Sequence, residues 1–198
     1  AISLGRAGKA RAYAAQKLME DNPELVLDSG VGPGSMSMML LQQHPRFDIV
    51  ALDYSSQLLR SFKDRTKGYH DRLHFVRACF EDLPFKSSSF DAIITAYALR
   101  DSTDIEQAVG EYARSIKSKG RLAIVELGKP DNIVVRFFAT VYVSLIVPLV
   151  AKIIITGRLE GNPWRIIPLT YQNLPTTGRL LEMVEARFDL LERKMFLA

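Results

Sequence analysis

The run Leu25-Val26-Leu27-Asp28-Ser29-Gly30-Val31-Gly32-Pro33-Gly34 constrains this chain more than any other feature. A short apolar strand runs into three closely spaced glycines, and an amphipathic stretch from Ser35 to Gln43 follows at once. Glycine lets a backbone turn tightly and lets a ligand approach it. The spacing is G-x-G-x-G, whereas the dinucleotide fingerprint is G-x-G-x-x-G and would put its third glycine at Ser35. The acid Asp28 stands two residues before Gly30, where it would repel a pyrophosphate but attract the ammonium of an aminoacyl cofactor. A second apolar run ends at Asp53, roughly 20 residues beyond the loop, where an acid accepts ribose hydroxyls. That ribose is common to NAD and S-adenosylmethionine, so Asp53 alone does not choose between them.

The remaining pattern is an alternation of short apolar runs with amphipathic ones, which predicts βαβ units and a mostly parallel sheet. Helices are expected over Arg6–Glu20, Ser35–Gln43, Ser56–Lys67 and Ile105–Ile116. Strands are expected over Leu25–Asp28, Asp48–Asp53, Leu73–Arg77, Phe90–Ala96 and, after a turn at Lys119-Gly120, Arg121–Leu127. Pro175–Ala186 and Phe188–Phe196 read as one more helix and strand. With 198 residues, 47% hydrophobic and 24% charged, the chain fits one globular domain over 1–198.

Ile133 to Ile155 is almost wholly apolar, broken by Arg136, Pro148 and Lys152. Phe137 to Ala151 falls short of the roughly 20 apolar residues a membrane span needs, so a pair of buried or interfacial helices inserted after the fifth strand is expected. The net charge of +4 comes from scattered residues, which argues against a nucleic-acid stripe. Cys79 is the single cysteine and cannot form an internal disulfide, so a cytoplasmic location is expected. His44, His70 and His74 lack metal-ligand spacing, so no metal is expected. The chain opens at Ala1, and no signal peptide is visible.

Further motifs resemble those of the ubiquinone/menaquinone biosynthesis C-methyltransferases, over nearly the whole chain. The family's acidic-Leu-Pro-Phe element is matched by Glu81-Asp82-Leu83-Pro84-Phe85, followed by Phe90-Asp91. Its Gly-Leu-Arg-Asn element is matched by Ala98-Leu99-Arg100-Asp101, and its lysine-rich turn by Lys117–Gly120, with Glu126 ending the strand after it. Ser3-Leu4-Gly5 looks like the family's helix start, and Asn162-Pro163-Trp164-Arg165 to Tyr171, before Leu174-Pro175, looks like its Tyr-x-Tyr-Leu stretch. Three places depart from the pattern: Pro33 replaces a threonine, Cys79-Phe80 replaces a polar-Ala pair, and Asp101 replaces an asparagine.

The resemblance implies a Rossmann-like, doubly wound α/β sheet with helices on both faces and an apolar helical insertion after strand five. It implies an S-adenosylmethionine-dependent methyltransferase acting on a ring carbon of a prenylated quinol. The cofactor would be held by Asp28, Gly30, Gly32, Pro33, Gly34, Asp53, Tyr54, Cys79, Phe80 and Ala96. Arg100 would hold a phenolate, and Asp101 would orient Arg100 or a water, or take the proton. Tyr97, Phe137, Phe138, Tyr142 and Tyr171 would touch the acceptor, with Leu145 and Ile146 beside the polyprenyl tail. Residues 129–173 would then form a substrate cover, with a subunit interface or membrane surface as its other uses. Rival readings are a methyltransferase for another small apolar acceptor, an NAD-dependent oxidoreductase, and a non-catalytic lipid-binding or assembly protein.

Overall fold

A computed structural model describes residues 6–43, 46–69, 71–147, 149 and 166–196. The chain divides into two compact units, Gly8–Glu126 and the remainder formed by Ala1–Ala7 with Leu127–Ala198.

The first unit carries five strands: β1 (Leu25–Ser29), β2 (Asp48–Asp53), β3 (Leu73–Arg77), β4 (Phe90–Ala96) and β5 (Ile116–Val125). They form one sheet in the order β3-β2-β1-β4-β5, and every pairing is parallel. Helices α1 (Arg6–Met19), α2 (Ser35–Gln43), α3 (Ser56–Arg65) and α4 (Ile105–Ser115) pack around it. The central strands are apolar on both faces because helices cover both faces. Val26, Ile49, Ala51, Leu73, Ala92 and Ile94 meet α1, α2 and α3 in one cluster. The opposite side of β1 meets α4, whose buried Tyr112 hydroxyl donates to Ser29 Oγ at 3.0 Å.

Local chemistry sets these helices. Ser55 caps α3 by accepting from the Leu58 amide at 3.3 Å, and Lys63 and Arg65 complement the dipole at its other end. Asp104 caps α4 by accepting from the Gln107 amide at 2.9 Å. Ile105, Ala108, Val109 and Tyr112 recur at helical spacing on α4, and all are buried. Gly34 has a positive φ of 82°, and a Cβ there would fall 2.1 Å from the buried Phe62 ring. Only glycine lets α2 begin so close to α3.

The second unit, described by itself, holds α5 (Ile133–Val141), a π-helical turn (Tyr142–Ile146), α6 (Ile166–Asn173) and α7 (Thr177–Glu185). Asn132 caps α5, its Oδ1 accepting from the Val134 and Val135 amides at 2.9 and 3.1 Å. Among the described residues no helix is long and apolar enough to cross a membrane.

Two expectations need correction. The strand β5 begins at Ile116, and Lys119-Gly120 lies within it as an irregularity rather than a turn before it. Lys119 has φ 67°, and a Cβ on Gly120 would fall 2.8 Å from the Asp91 carbonyl oxygen, so the chain squeezes past β4 there. Phe188–Phe196 is not a strand: among the described residues its alternation finds no ladder partner, and Leu190, Leu191 and Met195 stay exposed. In the apolar segment from Ile133, expected as buried or interfacial helices, the described part is helical and Ile133, Phe137, Phe138 and Leu145 are exposed. Its expected continuation over 150–155, together with Ser3-Leu4-Gly5, His44, His70 and Asn162–Arg165, lies outside the described residues.

Candidate active site

Open α/β sheets bind ligands beyond the carboxyl ends of their strands, where the strand order reverses. Here that place lies between β1 and β4, and the glycine loop leaves β1 there. Gly30 and Val31 donate to the Leu52 carbonyl at 2.8 and 2.9 Å, which ties the loop to β2. A Cβ on Gly30 would fall 2.3 Å from the Ala98 Cβ and 3.0 Å from the Phe80 ring, so this glycine is packed in from the β4 side. Gly32 differs: with φ 52° it has no atom within 4 Å of where its Cβ would stand, and its bare face is open to a ligand.

Asp53 joins the loop to the end of β2. Its Oδ2 accepts from the Gly32 amide and its Oδ1 from the Ser55 amide, both at 2.8 Å. Each carboxylate oxygen keeps a second lone pair, so the side chain is fixed in place and can still accept two vicinal hydroxyls. Tyr54 is exposed beside it, with the Arg77 guanidinium 5.3 Å from its ring centroid and Arg77 Nε donating to the Tyr54 carbonyl at 3.0 Å. Pro33 is exposed, and its carbonyl accepts from Arg65 at 2.7 Å. Cys79 is exposed, and its backbone forms a bridge with Asp82. Phe80 buttresses the loop at Gly30, and Ala96 ends β4.

Asp28 is the acid expected to face an ammonium group. It is 1% exposed, lies beneath the loop, and accepts from Ser37 Oγ on α2 at 2.6 Å. Burial, only partly offset by that bond, pushes its pKa up from 3.8 to about 6.

At the end of β4, Tyr97 takes a positive φ of 62°, a left-handed conformation that costs a non-glycine residue about 1–2 kcal/mol. The amide of Tyr97 donates to the Val125 carbonyl at 2.7 Å. Over its ring, 4.8 Å from the centroid, lies the guanidinium of Arg11 from α1. Burial raises the Tyr97 phenol above its ordinary pKa. Arg100 follows on a short turn, and its charge is matched: Nη1 lies 2.9 Å from Glu126 Oε1, with the two side chains 14% and 4% exposed. The Arg100 amide also donates to Glu126 Oε2 at 3.3 Å. Arg100, expected to hold a phenolate, is thereby fastened with its turn to the end of β5. Asp101, next on the turn, is exposed, and its amide donates to the Ala98 carbonyl at 2.9 Å.

The acidic-Leu-Pro-Phe element acquires a role that composition alone could not assign. Glu81 Oε1 accepts from Ser102 Oγ at 2.6 Å, and from the Thr103 and Asp104 amides at 2.7 and 3.3 Å. Arg114 reaches back from α4 to the Phe85 and Leu83 carbonyls at 2.7 and 3.0 Å. The element clamps the start of α4, and with it the turn carrying Arg100 and Asp101. In the second unit, Phe137 and Phe138 pack edge to face with centroids 5.6 Å apart, and both are exposed, as is Tyr142. Tyr171, expected against the acceptor, is buried, with its hydroxyl donating to the Gly128 carbonyl at 3.3 Å and Lys129 over its ring. It serves packing. Arg11 and Ser37 belong to no motif read from the sequence; only the tertiary structure puts Arg11 on the Tyr97 ring and Ser37 against Asp28.

The ubiE/COQ5 methyltransferase family matches this chain over residues 1–187. The chain belongs to that family. The demethylmenaquinone methyltransferase of Thermotoga maritima is 31% identical to this methyltransferase over 201 residues, covering 98% of this chain and 83% of the relative. That of Thermus thermophilus is 26% identical, over 96% of this chain and 87% of the relative. Among solved structures, a Galdieria sulphuraria protein assigned as a sarcosine dimethylglycine methyltransferase aligns with TM-score 0.69 and 17% identity, over 90% of this chain and 60% of that one. The [4+2]-cyclase SpnF aligns with TM-score 0.67 and 19% identity, over 90% and 56%. These two share the fold; one of them is a cyclase, so the reaction follows from the family and the site, not from the sheet.

Proposed function

We propose that this methyltransferase uses S-adenosylmethionine to methylate a ring carbon of a prenylated hydroquinone of the demethylmenaquinol kind. The observation that carries the cofactor reading is Asp53, held by the Gly32 and Ser55 amides beside the bare face of Gly32. The names of the relatives support the acceptor class. When bound, the cofactor supplies a methyl group on a sulfonium, which departs as a neutral thioether once a carbon nucleophile takes the methyl. Asp53 accepts the ribose hydroxyls, and the glycine loop admits the chain between ribose and sulfur. Pro33, Tyr54, Cys79 and Ala96 border that groove, and Phe80 holds the loop against it.

A hydroquinone carbon attacks well only when a neighbouring hydroxyl is ionised. Asp101, exposed on the turn after β4, takes that hydroxyl proton, and the proton displaced from the ring carbon passes to water. Arg100, through Glu126, is a positioning residue for this turn. Tyr97 borders the acceptor. Residues 129–173 belong to the same methyltransferase domain as an acceptor-binding insertion, in which Phe137, Phe138, Tyr142, Leu145 and Ile146 receive the prenyl tail. A prenylated acceptor resides in a bilayer, so this cytoplasmic enzyme meets the membrane surface peripherally through the same side chains.

Transfer of a labelled methyl group from S-adenosylmethionine to demethylmenaquinol tests the reading; no transfer to any prenylated hydroquinone would reject the acceptor class. Asp53→Ala is expected to weaken S-adenosylhomocysteine binding by about 1–3 kcal/mol, because ribose hydroxyls lose their acceptor. Calorimetry measures it, and unchanged affinity, or tight binding of NAD by the native chain, would reject the cofactor assignment. Asp101→Asn restores the residue expected from the family pattern while removing a base. If Asp101 takes the proton, turnover falls by about 10²-fold and the acid limb of the pH profile flattens. Full turnover with an unchanged profile would remove Asp101 from that role.

A further inference from the structure

We infer that Arg11 holds the carboxylate of the bound cofactor's aminoacyl group. The inference rests on the cofactor reading above and concerns a residue that no motif marks. A cofactor whose ribose is anchored on Asp53, at the end of β2, must run across the glycine loop over β1, because Gly32 offers the bare face between them. Its other end then points toward β4, since β1 stands between β2 and β4 in the sheet. That is where Tyr97 turns out of β4 with its positive φ, and where Arg11 is stacked on the Tyr97 ring 4.8 Å from the centroid.

An aminoacyl group presents a carboxylate, so the matching protein group is a cation placed at this end. The other cations around the groove are engaged: Arg100 with Glu126 at 2.9 Å, Arg77 with the Tyr54 carbonyl at 3.0 Å, and Arg65 with the Pro33 carbonyl at 2.7 Å. Arg11 is half-buried, and among the described residues no acid forms an ion pair with it. Its guanidinium lies over Tyr97, the first residue beyond β4, and its charge lowers the pKa of both the Tyr97 phenol and the Asp28 carboxyl at the end of β1. Stacking on an aromatic face leaves the edge of a guanidinium free, and that edge is the fork that grips a carboxylate with two parallel bonds. Tyr97 therefore acts as the platform that aims Arg11.

The test compares two ligands on the full chain. S-adenosylhomocysteine carries the aminoacyl group, and 5′-methylthioadenosine has the same adenosine and sulfur without it. Arg11→Met is expected to weaken S-adenosylhomocysteine by about 10- to 100-fold, the value of a charge-assisted pair, and to leave 5′-methylthioadenosine unchanged. Arg11→Lys keeps the charge, folds with the same packing on α1, and should recover part of the loss. Equal weakening of both ligands would make Arg11 a structural residue and overturn the inference, as would no weakening of either. Failure of the native chain to bind either ligand would overturn the cofactor reading and the Arg11 assignment together.

Discussion

Glu126→Ala is expected to destabilise the fold by about 3–5 kcal/mol, the loss typical when one partner of a buried ion pair is removed. Glu126 is 4% exposed and Arg100 14%, so water can do little to rescue the guanidinium left behind. Glu126 also accepts from the Arg100 amide, and its loss frees a second donor. Removing both charges is a different matter: the double variant Arg100→Met with Glu126→Leu should regain most of the stability, since apolar groups of similar volume replace a costly desolvated pair. Urea unfolding of the four proteins of this cycle measures it. A loss below about 1 kcal/mol in Glu126→Ala would mean that the pair behaves as an exposed one. The same double variant decides the role of Arg100 in catalysis. With the turn restored by packing, turnover should persist if Arg100 only positions the turn; a collapse in turnover at normal stability and normal cofactor affinity would mean that the guanidinium itself touches the acceptor.

Asp28→Asn is expected to stabilise the protein at neutral and alkaline pH. The Asp28 carboxyl titrates at about 6 in the fold against 3.8 in an open chain, because burial disfavours its charge. Between those values the folded state holds more protons than the unfolded state, so stability falls as pH rises through the window. The loss amounts to about 3 kcal/mol and is complete above the folded value. An asparagine keeps an oxygen to accept from Ser37 Oγ and has no charge to bury. The variant should therefore lack the decline between about pH 4 and 6 and should gain up to about 3 kcal/mol at pH 8. Thermal unfolding at a series of pH values measures it, and an unchanged or lower stability at pH 8 would contradict the account. A buried acid kept at such a cost belongs with a functional site, so cofactor affinity should weaken in the same variant.

Much of this was legible in the order of residues. Parallel sheets buried on both faces require apolar runs, and Leu25–Ser29, Asp48–Asp53 and Phe90–Ala96 are such runs, so strand positions could be read directly. Three glycines with positive φ can be inferred from a strand that stops at Gly30 and a helix that starts at Ser35, because few other backbones connect the two so tightly. The place of Asp53 followed from strand length and spacing alone. The acidic-Leu-Pro-Phe and Leu-Arg-Asp elements pointed to the family, and the match over residues 1–187 agrees.

What the sequence could not decide are pairings between residues far apart in the chain. Whether Arg100 is a free cation depends on Glu126, 26 positions away, and local pattern carries no trace of which acid will face it. Whether Asp28 faces a ligand or lies beneath the loop depends on which face of β1 meets α2, and a strand apolar on both faces does not reveal it. Arg11 is one of several basic residues on α1, and only the packing of that helix over the end of β4 sets it apart from Lys9 or Lys17. The alternation in 188–196 looked like a strand because side-chain period is local, whereas a strand exists only where another edge supplies its hydrogen bonds, and none does so there among the described residues.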